Sequence, residues 1–202
     1  MILKICGITN QDDASAAIDA GATAVGFNFY SRSPRSIRPE QAAEIATAAG
    51  VRRVGVFVNE RPERVEEIAR LARLDVAQLH GDETAEQALA SRPLRVWKAV
   101  RVTGVFDLAP YRDYPAEALL LDGPAGELYG GSGKNFDWRL VRNTDRKIVL
   151  AGGLDASNVA AAIELVRPWG VDACSRIESA PGKKDHKKMT AFLHAAMAAV
   201  HA

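Results

Sequence analysis

Alternation constrains this chain more than any single residue does. Eight short apolar runs of strand length are separated by alanine-rich stretches with helical spacing. The runs cover residues 2–6, 24–29, 53–58, 75–80, 94–100, 118–122, 147–151 and 171–175. Helices are predicted over 12–20, 39–49, 62–73, 155–166 and 186–199, with weaker ones near 84–90, 105–111 and 136–142. The segment 62–73 is the best formed, with Val65, Ile68, Ala69 and Ala72 on one face and Glu and Arg on the other. Repeated strand–helix units call for parallel strands joined by right-handed crossovers. Eight units either open as a doubly wound sheet or close as a (β/α)8 TIM barrel. Two features favour the barrel. Chemically capable residues end nearly every strand instead of clustering at one switch point. The repeat is also short, at about 25 residues per unit, which suits a compact barrel near the lower size limit. No Pro/Gly/Ser-rich linker interrupts the pattern, so residues 1–202 are expected to form a single domain.

Charge and cysteine usage exclude several classes. Lys+Arg total 26 against 25 Asp+Glu, so nothing favours nucleic acid or an anionic membrane surface as partner. Two cysteines are too few for a disulfide framework and lack metal-type spacing. The first apolar run is only a few residues long and contains Lys4, unlike a signal peptide. No stretch approaches transmembrane length. A cytoplasmic location is the expectation.

Cys6 ends the first strand and Gly7 follows it, which places a thiol where backbone or ligand can come close. Asp122 ends Leu119-Leu120-Leu121-Asp122, an acid after three leucines and hence in a poorly solvated place. A thiol and a carboxyl at two strand ends suggest a base and an acid facing one ligand. Side chains alternate along a strand, so Lys4 shares a face with Cys6, Gln78 with His80, and Asp172 with Cys174. Lys4 is then either a cation that favours the Cys6 thiolate or half of an internal ion pair with Asp172. His80 either orients a ligand or is simply hydrogen-bonded in the barrel mouth. No second histidine lies near it in sequence, which gives little support to a catalytic metal.

Glycines and polar turns follow the late strands: Gly130-Gly131-Ser132-Gly133-Lys134, Gly152-Gly153 and Ser175-Arg176. Loops after strands seven and eight of a barrel often hold phosphate through backbone N–H groups. The Gly-rich run is no P-loop, since Leu128 and Asn135 stand where Walker A needs glycine and Ser/Thr. It is a flexible loop or a lid over substrate. Arg35, in the loop after strand two, has the fork geometry for a carboxylate. The charge run 183–188 reads as a solvated helix start capped by Asp185.

Taken in order, KICGITN, GFNFYSRSPRSI, VGVFVNE, QLHGDE, LLLDG, YGGSGKNFDW, LAGGL and APGKKD make the chain resemble the phosphoribosylanthranilate isomerase family over essentially its whole length. The resemblance implies a (β/α)8 barrel and a cofactor-free, metal-free Amadori rearrangement of a small phosphosugar in tryptophan biosynthesis, by a monomer or homodimer. It implies Cys6 as general base and Asp122 as general acid. Arg35, Gln78, His80 and Asp172 would face substrate, and Gly131, Gly152, Gly153, Ser175 and Arg176 the phosphate. The family's loop after strand eight looks like Ser-Ser-Gly-Val-Glu, but this chain reads Cys174-Ser175-Arg176-Ile177-Glu178. Arg176 therefore either turns outward, adds charge to the phosphate, or strains a turn that needs positive φ. Closure of the ring would set Cys174 beside Cys6, within reach of an oxidative link. Three other readings compete. One is a Schiff-base aldolase using Lys98. Another is the histidine-pathway Amadori isomerase, alone or as a second activity. The third is a catalytically weak or silent phosphate-binding barrel.

Overall fold

The computed structural model describes residues 1–103, 107–123, 137–141 and 144–200. Eight parallel strands close into a barrel in sequence order. They are β1 (Ile2–Cys6), β2 (Ala24–Asn28), β3 (Arg52–Phe57), β4 (Val76–Leu79), β5 (Arg95–Arg101), β6 (Ala118–Asp122), β7 (Ile148–Leu150) and β8 (Gly170–Ala173). The seam is β1 against β8, with Lys4 opposite Asp172 and Ile5 opposite Ala173. The helices are α1 (Gln11–Asp19), α2 (Pro39–Glu44), α3 (Pro62–Leu71), α4 (Ala85–Ala90), α5 (Val159–Val166) and α6 (His186–Val200). A small antiparallel hairpin, β9 (Glu178–Ala180) with β10 (Lys183–Lys184), follows the last barrel strand and is not evident in the residue pattern.

The helix starts follow local chemistry. Pro39 and Pro62 occupy first-turn positions, where a missing N–H costs nothing. The Asn10 side chain accepts from Asp13 N–H at α1, and Thr84 with Gln87 forms a capping box at α4. Asp185 accepts from the N–H groups of Lys187 and Lys188 and so caps α6 as expected. The ends are less local. Helix α2 stops at Glu44 instead of running to residue 49, because a strand residue takes its carbonyls. The buried Arg53 guanidinium donates to Ala42 O at 2.6 Å, Ile45 O at 2.7 Å and, at the end of α3, Ala72 O at 3.0 Å. Residues 155–158 form a turn before α5. Of the weaker helices, 84–90 is α4. Over the other two, the described residues form 3-10 turns at Ala109–Tyr111 and Trp138–Val141, with 105–106, 136 and 142 outside the described residues.

Strand alternation sorts the core into two layers. Leu3, Ile5, Phe27, Phe57, Leu119, Leu121 and Val171 pack outward against the helices. Ile2, Ala24, Val54, Val76, Trp97, Ala118, Leu120 and Val149 fill the interior. Trp97 closes its lower end, edge-on to Trp169 at 5.7 Å, with the indole N–H donated to Glu117. Towards the C-terminal ends the same inward face turns polar, carrying Lys4, Cys6, Gln78, Asp122 and Asp172. Apolar packing would be cheaper there, so this change of chemistry locates the site.

Candidate active site at the barrel mouth

The first group straddles the β1–β8 seam. Lys4 is fully buried and its Nζ lies 2.7 Å from Asp172 Oδ2, so the ion pair expected from the sequence exists. Cys6 sits one layer above on the same face. Gly26 on β2 makes the space, since a Cβ there would lie 2.8 Å from Cys6 Sγ and 3.1 Å from Lys4 Cε. Cys174 follows β8 and stands beside Cys6, one step on from the Ile5–Ala173 pair. Donation from the Cys174 thiol, aided by the Lys4 and Lys184 charges and opposed by burial, holds the Cys6 thiol well below its ordinary range. Cys174, half-buried, is raised for the complementary reason: it keeps the proton that Cys6 gives up, and desolvation disfavours its thiolate. Burial alone would lower Lys4, but the Asp172 and Cys6 charges outweigh it and leave Lys4 raised. Burial pushes Asp172 up to about 8, with the Cys6 charge adding to it and Lys4 opposing. One cation thus serves two acids that compete for it. The second oxygen of Asp172, Oδ1, is buried and has no hydrogen-bond partner.

The second group comes from β4 and β6. The Gln78 amide donates to His80 Nδ1 at 2.9 Å, which leaves the ring proton on Nε2. Nε2 faces Asp122 Oδ2 at 3.5 Å. Gln78 Oε1 is buried and unpartnered, like Asp172 Oδ1. Gly152, at φ +79°, presses its backbone to Asp122, where a Cβ would lie 2.8 Å from Oδ1. Gly153 also has positive φ, and Ser175 opens a 3-10 turn over Ser175–Ile177.

A third group was not foreseen. Arg35 forks onto Glu178 through Nε and Nη2 at 2.8–3.1 Å, and Lys184 Nζ reaches Glu178 Oε1 at 2.8 Å. Burial works against the Glu178 carboxylate, but Arg35 and Lys184 hold it below its ordinary range. Lys184 therefore corrects the reading of 183–188 as a solvated run. It is 3% exposed, while Lys183, Lys187 and Lys188 face outward. The signal was alternation in a strand of two residues, too short to read.

Two further expectations are corrected. Arg176 lies outside the left-handed region, so its turn carries no positive-φ strain, and its Nε is tied to Asp155 Oδ2 at 2.6 Å. Lys98 alternates with the inward-facing Trp97 and Ala99 and so points away from the interior. Its ammonium meets Glu83 at 2.8 Å and Gly81 O at 2.6 Å, leaving no free amine for a Schiff base. Gly131 and Lys134 lie outside the described residues. A cleft of about 520 Å³ opens at the opposite pole, between the starts of β3, β4 and β5, and brings together no thiol and acid.

The family model for N-(5'phosphoribosyl)anthranilate (PRA) isomerase matches residues 3–195. The N-(5'-phosphoribosyl)anthranilate isomerase of Solibacter usitatus is 68% identical over 202 residues, all of both chains. A crystal structure of monomers made from the dimeric Thermotoga maritima phosphoribosylanthranilate isomerase superposes with a TM-score of 0.87 at 42% identity, covering 98% of this chain and 100% of that one. A phosphoribosylanthranilate isomerase in complex with reduced 1-(o-carboxyphenylamino)-1-deoxyribulose 5-phosphate gives 0.88 at 41%, with the same coverage. With the barrel, the polar mouth and these matches in place, the chain belongs to the phosphoribosylanthranilate isomerase family.

Proposed function

We propose that the chain catalyses the Amadori rearrangement of N-(5-phosphoribosyl)anthranilate to 1-(2-carboxyphenylamino)-1-deoxyribulose 5-phosphate in tryptophan biosynthesis, with Cys6 as base and Asp122 as acid. The observation that carries it is a thiol held low by its neighbours and a carboxyl, both pointing into one barrel interior from different walls. Asp122 protonates the furanose oxygen, and the ring opens to a Schiff base. The Cys6 thiolate then takes the C2 proton, giving an enolamine that tautomerises to the ketose. His80 Nε2 lies close enough to steady the Asp122 carboxylate once its proton has gone.

Substrate recognition follows from what the site leaves unpaired. Asp172 Oδ1 and Gln78 Oε1 are buried acceptors awaiting donors, and the amine and hydroxyls of the aminosugar supply them. Glu178 holds Arg35 by two of its nitrogens, and the remaining Nη1 edge meets the anthranilate carboxylate. The backbones of Gly152, Gly153 and Ser175 cradle the phosphate. Arg176, tied to Asp155, contributes charge at the rim instead of a direct bond. The same reading places the protein in the cytoplasm, as a monomer or homodimer.

The test is turnover followed by loss of phosphoribosylanthranilate fluorescence. Cys6→Ser and Asp122→Asn should each slow it by about 10²- to 10⁴-fold. No turnover by the wild type would refute the activity, and near-normal rates in either variant would refute that residue's role.

A further inference from the structure

We infer that Cys6 and Cys174 together form an oxidative modification site, which a hydroperoxide converts into an intramolecular disulfide that stops turnover until a dithiol reduces it. The effect on turnover rests on Cys6 being the base. The bond itself does not.

The geometry is that of a pair ready to join. Cys6 ends β1 and Cys174 follows β8, on neighbouring strands in parallel register. Such strands lie about 4.8 Å apart, inside the roughly 4.4–6.8 Å Cα separation that a disulfide spans. Facing is settled one layer below, where Lys4 and Asp172 touch at 2.7 Å. Two residues on, both chains present their side chains to the same side. Cys174 Sγ lies over Gly7, the residue after Cys6, where a Cβ would meet it at 3.2 Å. Cys174 lies beyond the strand ladder at φ −137°, ψ −89°, and Gly7 turns the chain immediately after Cys6.

The two thiols also differ in the way the chemistry needs. Cys6 is the acidic partner, and it attacks peroxide. An S–O bond forms, the O–O bond breaks, and the leaving hydroxide takes a proton to become water. Sulfur is oxidised to the sulfenic acid and the peroxide is reduced. Cys174 then gives up its proton and attacks the Cys6 sulfur. The S–S bond forms, the S–O bond breaks, and the second hydroxide leaves with that proton as water. Lys184 Nζ, 4.0 Å from Cys174 Sγ, favours the thiolate this step requires. The net change is two thiols and one hydrogen peroxide to one disulfide and two waters. Without Cys174, the Cys6 sulfenic acid has no resolving thiol among the described residues and proceeds to irreversible sulfinic acid.

The experiment compares wild type with Cys174→Ser, each normalised to its own untreated rate. Both are exposed to graded hydrogen peroxide without substrate, then alkylated, weighed intact and assayed before and after dithiothreitol. The wild type should become two hydrogens lighter with both cysteines blocked to alkylation. It should lose turnover by about a hundredfold or more and regain it with dithiothreitol. Cys174→Ser should instead gain oxygen on Cys6 and stay inactive. Peptide mapping of the oxidised wild type identifies the linked pair without relying on the variant. A wild type that gains oxygen and never loses two hydrogens would overturn the site, as would equal recovery of both proteins. A disulfide with turnover undiminished would keep the bond and overturn Cys6 as the base.

Discussion

Lys4 and Lys98 stand on barrel strands, are both buried, and lie 2.7 and 2.8 Å from a carboxylate oxygen. They differ in what surrounds the pair. The Lys98 ammonium also donates to Gly81 O, and Glu83 accepts from the N–H groups of Asn59 and Gly81. Nearly every lone pair and proton there is used, and the result is a clamp under the loop after β4. The Lys4 pair has a carboxylate oxygen with no partner and a second acid, Cys6, drawing on the same cation. An ion pair that is fully satisfied holds structure. One left electrically incomplete is available to chemistry.

Exchanging each lysine separates the two. Lys98→Met leaves Glu83 as a buried carboxylate fixed by backbone donors, so unfolding free energy should fall by about 3–5 kcal/mol. The kcat of the surviving folded enzyme should stay within about twofold, and denaturant titration beside steady-state rates checks both. Lys4→Met should cost less stability, because burial already favours the protonated form of Asp172, which takes up a proton once the opposing Lys4 charge is gone. Its cost falls on the rate. A neighbouring opposite charge biases a proton equilibrium by about ten- to a thousandfold, so kcat/KM at neutral pH should drop by at least about tenfold. The acid limb of the pH–rate profile should move to higher pH, since a thiol no longer held low is thiolate only in more alkaline solution. If Lys98→Met moved that limb equally, the contrast would be lost.

Gly26→Ala probes the same group by space instead of charge. Its Cβ would sit 2.8 Å from Cys6 Sγ, and displacing the thiol should cost about a hundredfold in kcat. Cys174→Ala removes the donor that contributes most to holding Cys6 low. The acid limb should again move up, while Cys174→Ser, whose hydroxyl still donates, keeps it nearer the wild-type position. Arg176→Gly should do least. It breaks a half-exposed ion pair with Asp155, worth about 1 kcal/mol or less, and relieves no backbone strain. KM should therefore rise by about fivefold at most, and a lowered KM would mean that the arginine obstructs phosphate after all.

What could be read before folding was whatever local pattern determines. The order of strands and helices follows from periodicity, and Cys6 and Asp122 declare themselves as polar residues closing apolar runs. Pairing of Lys4 with Asp172 followed once the ring was assumed closed. Contacts between distant parts of the chain stayed hidden. Arg35 and Glu178 are 143 residues apart, and neither sequence neighbourhood announces the other. Lys184 looked like one of several surface lysines, because only the hairpin turns it inward. The short α2 was illegible for the same reason: its end is set by Arg53, on the next strand.

The seam between the first and last barrel strands has a temporal consequence. Lys4 and Cys6 leave the ribosome well before Asp172, Cys174, Glu178 and Lys184, which complete the same wall of the mouth. Until the final strand docks, Cys6 has Lys4 beside it but lacks Cys174 and the Lys184 charge. A chain that lacks this strand should therefore hold Cys6 as a less acidic thiol, and its full acidity arrives only when the circle is completed.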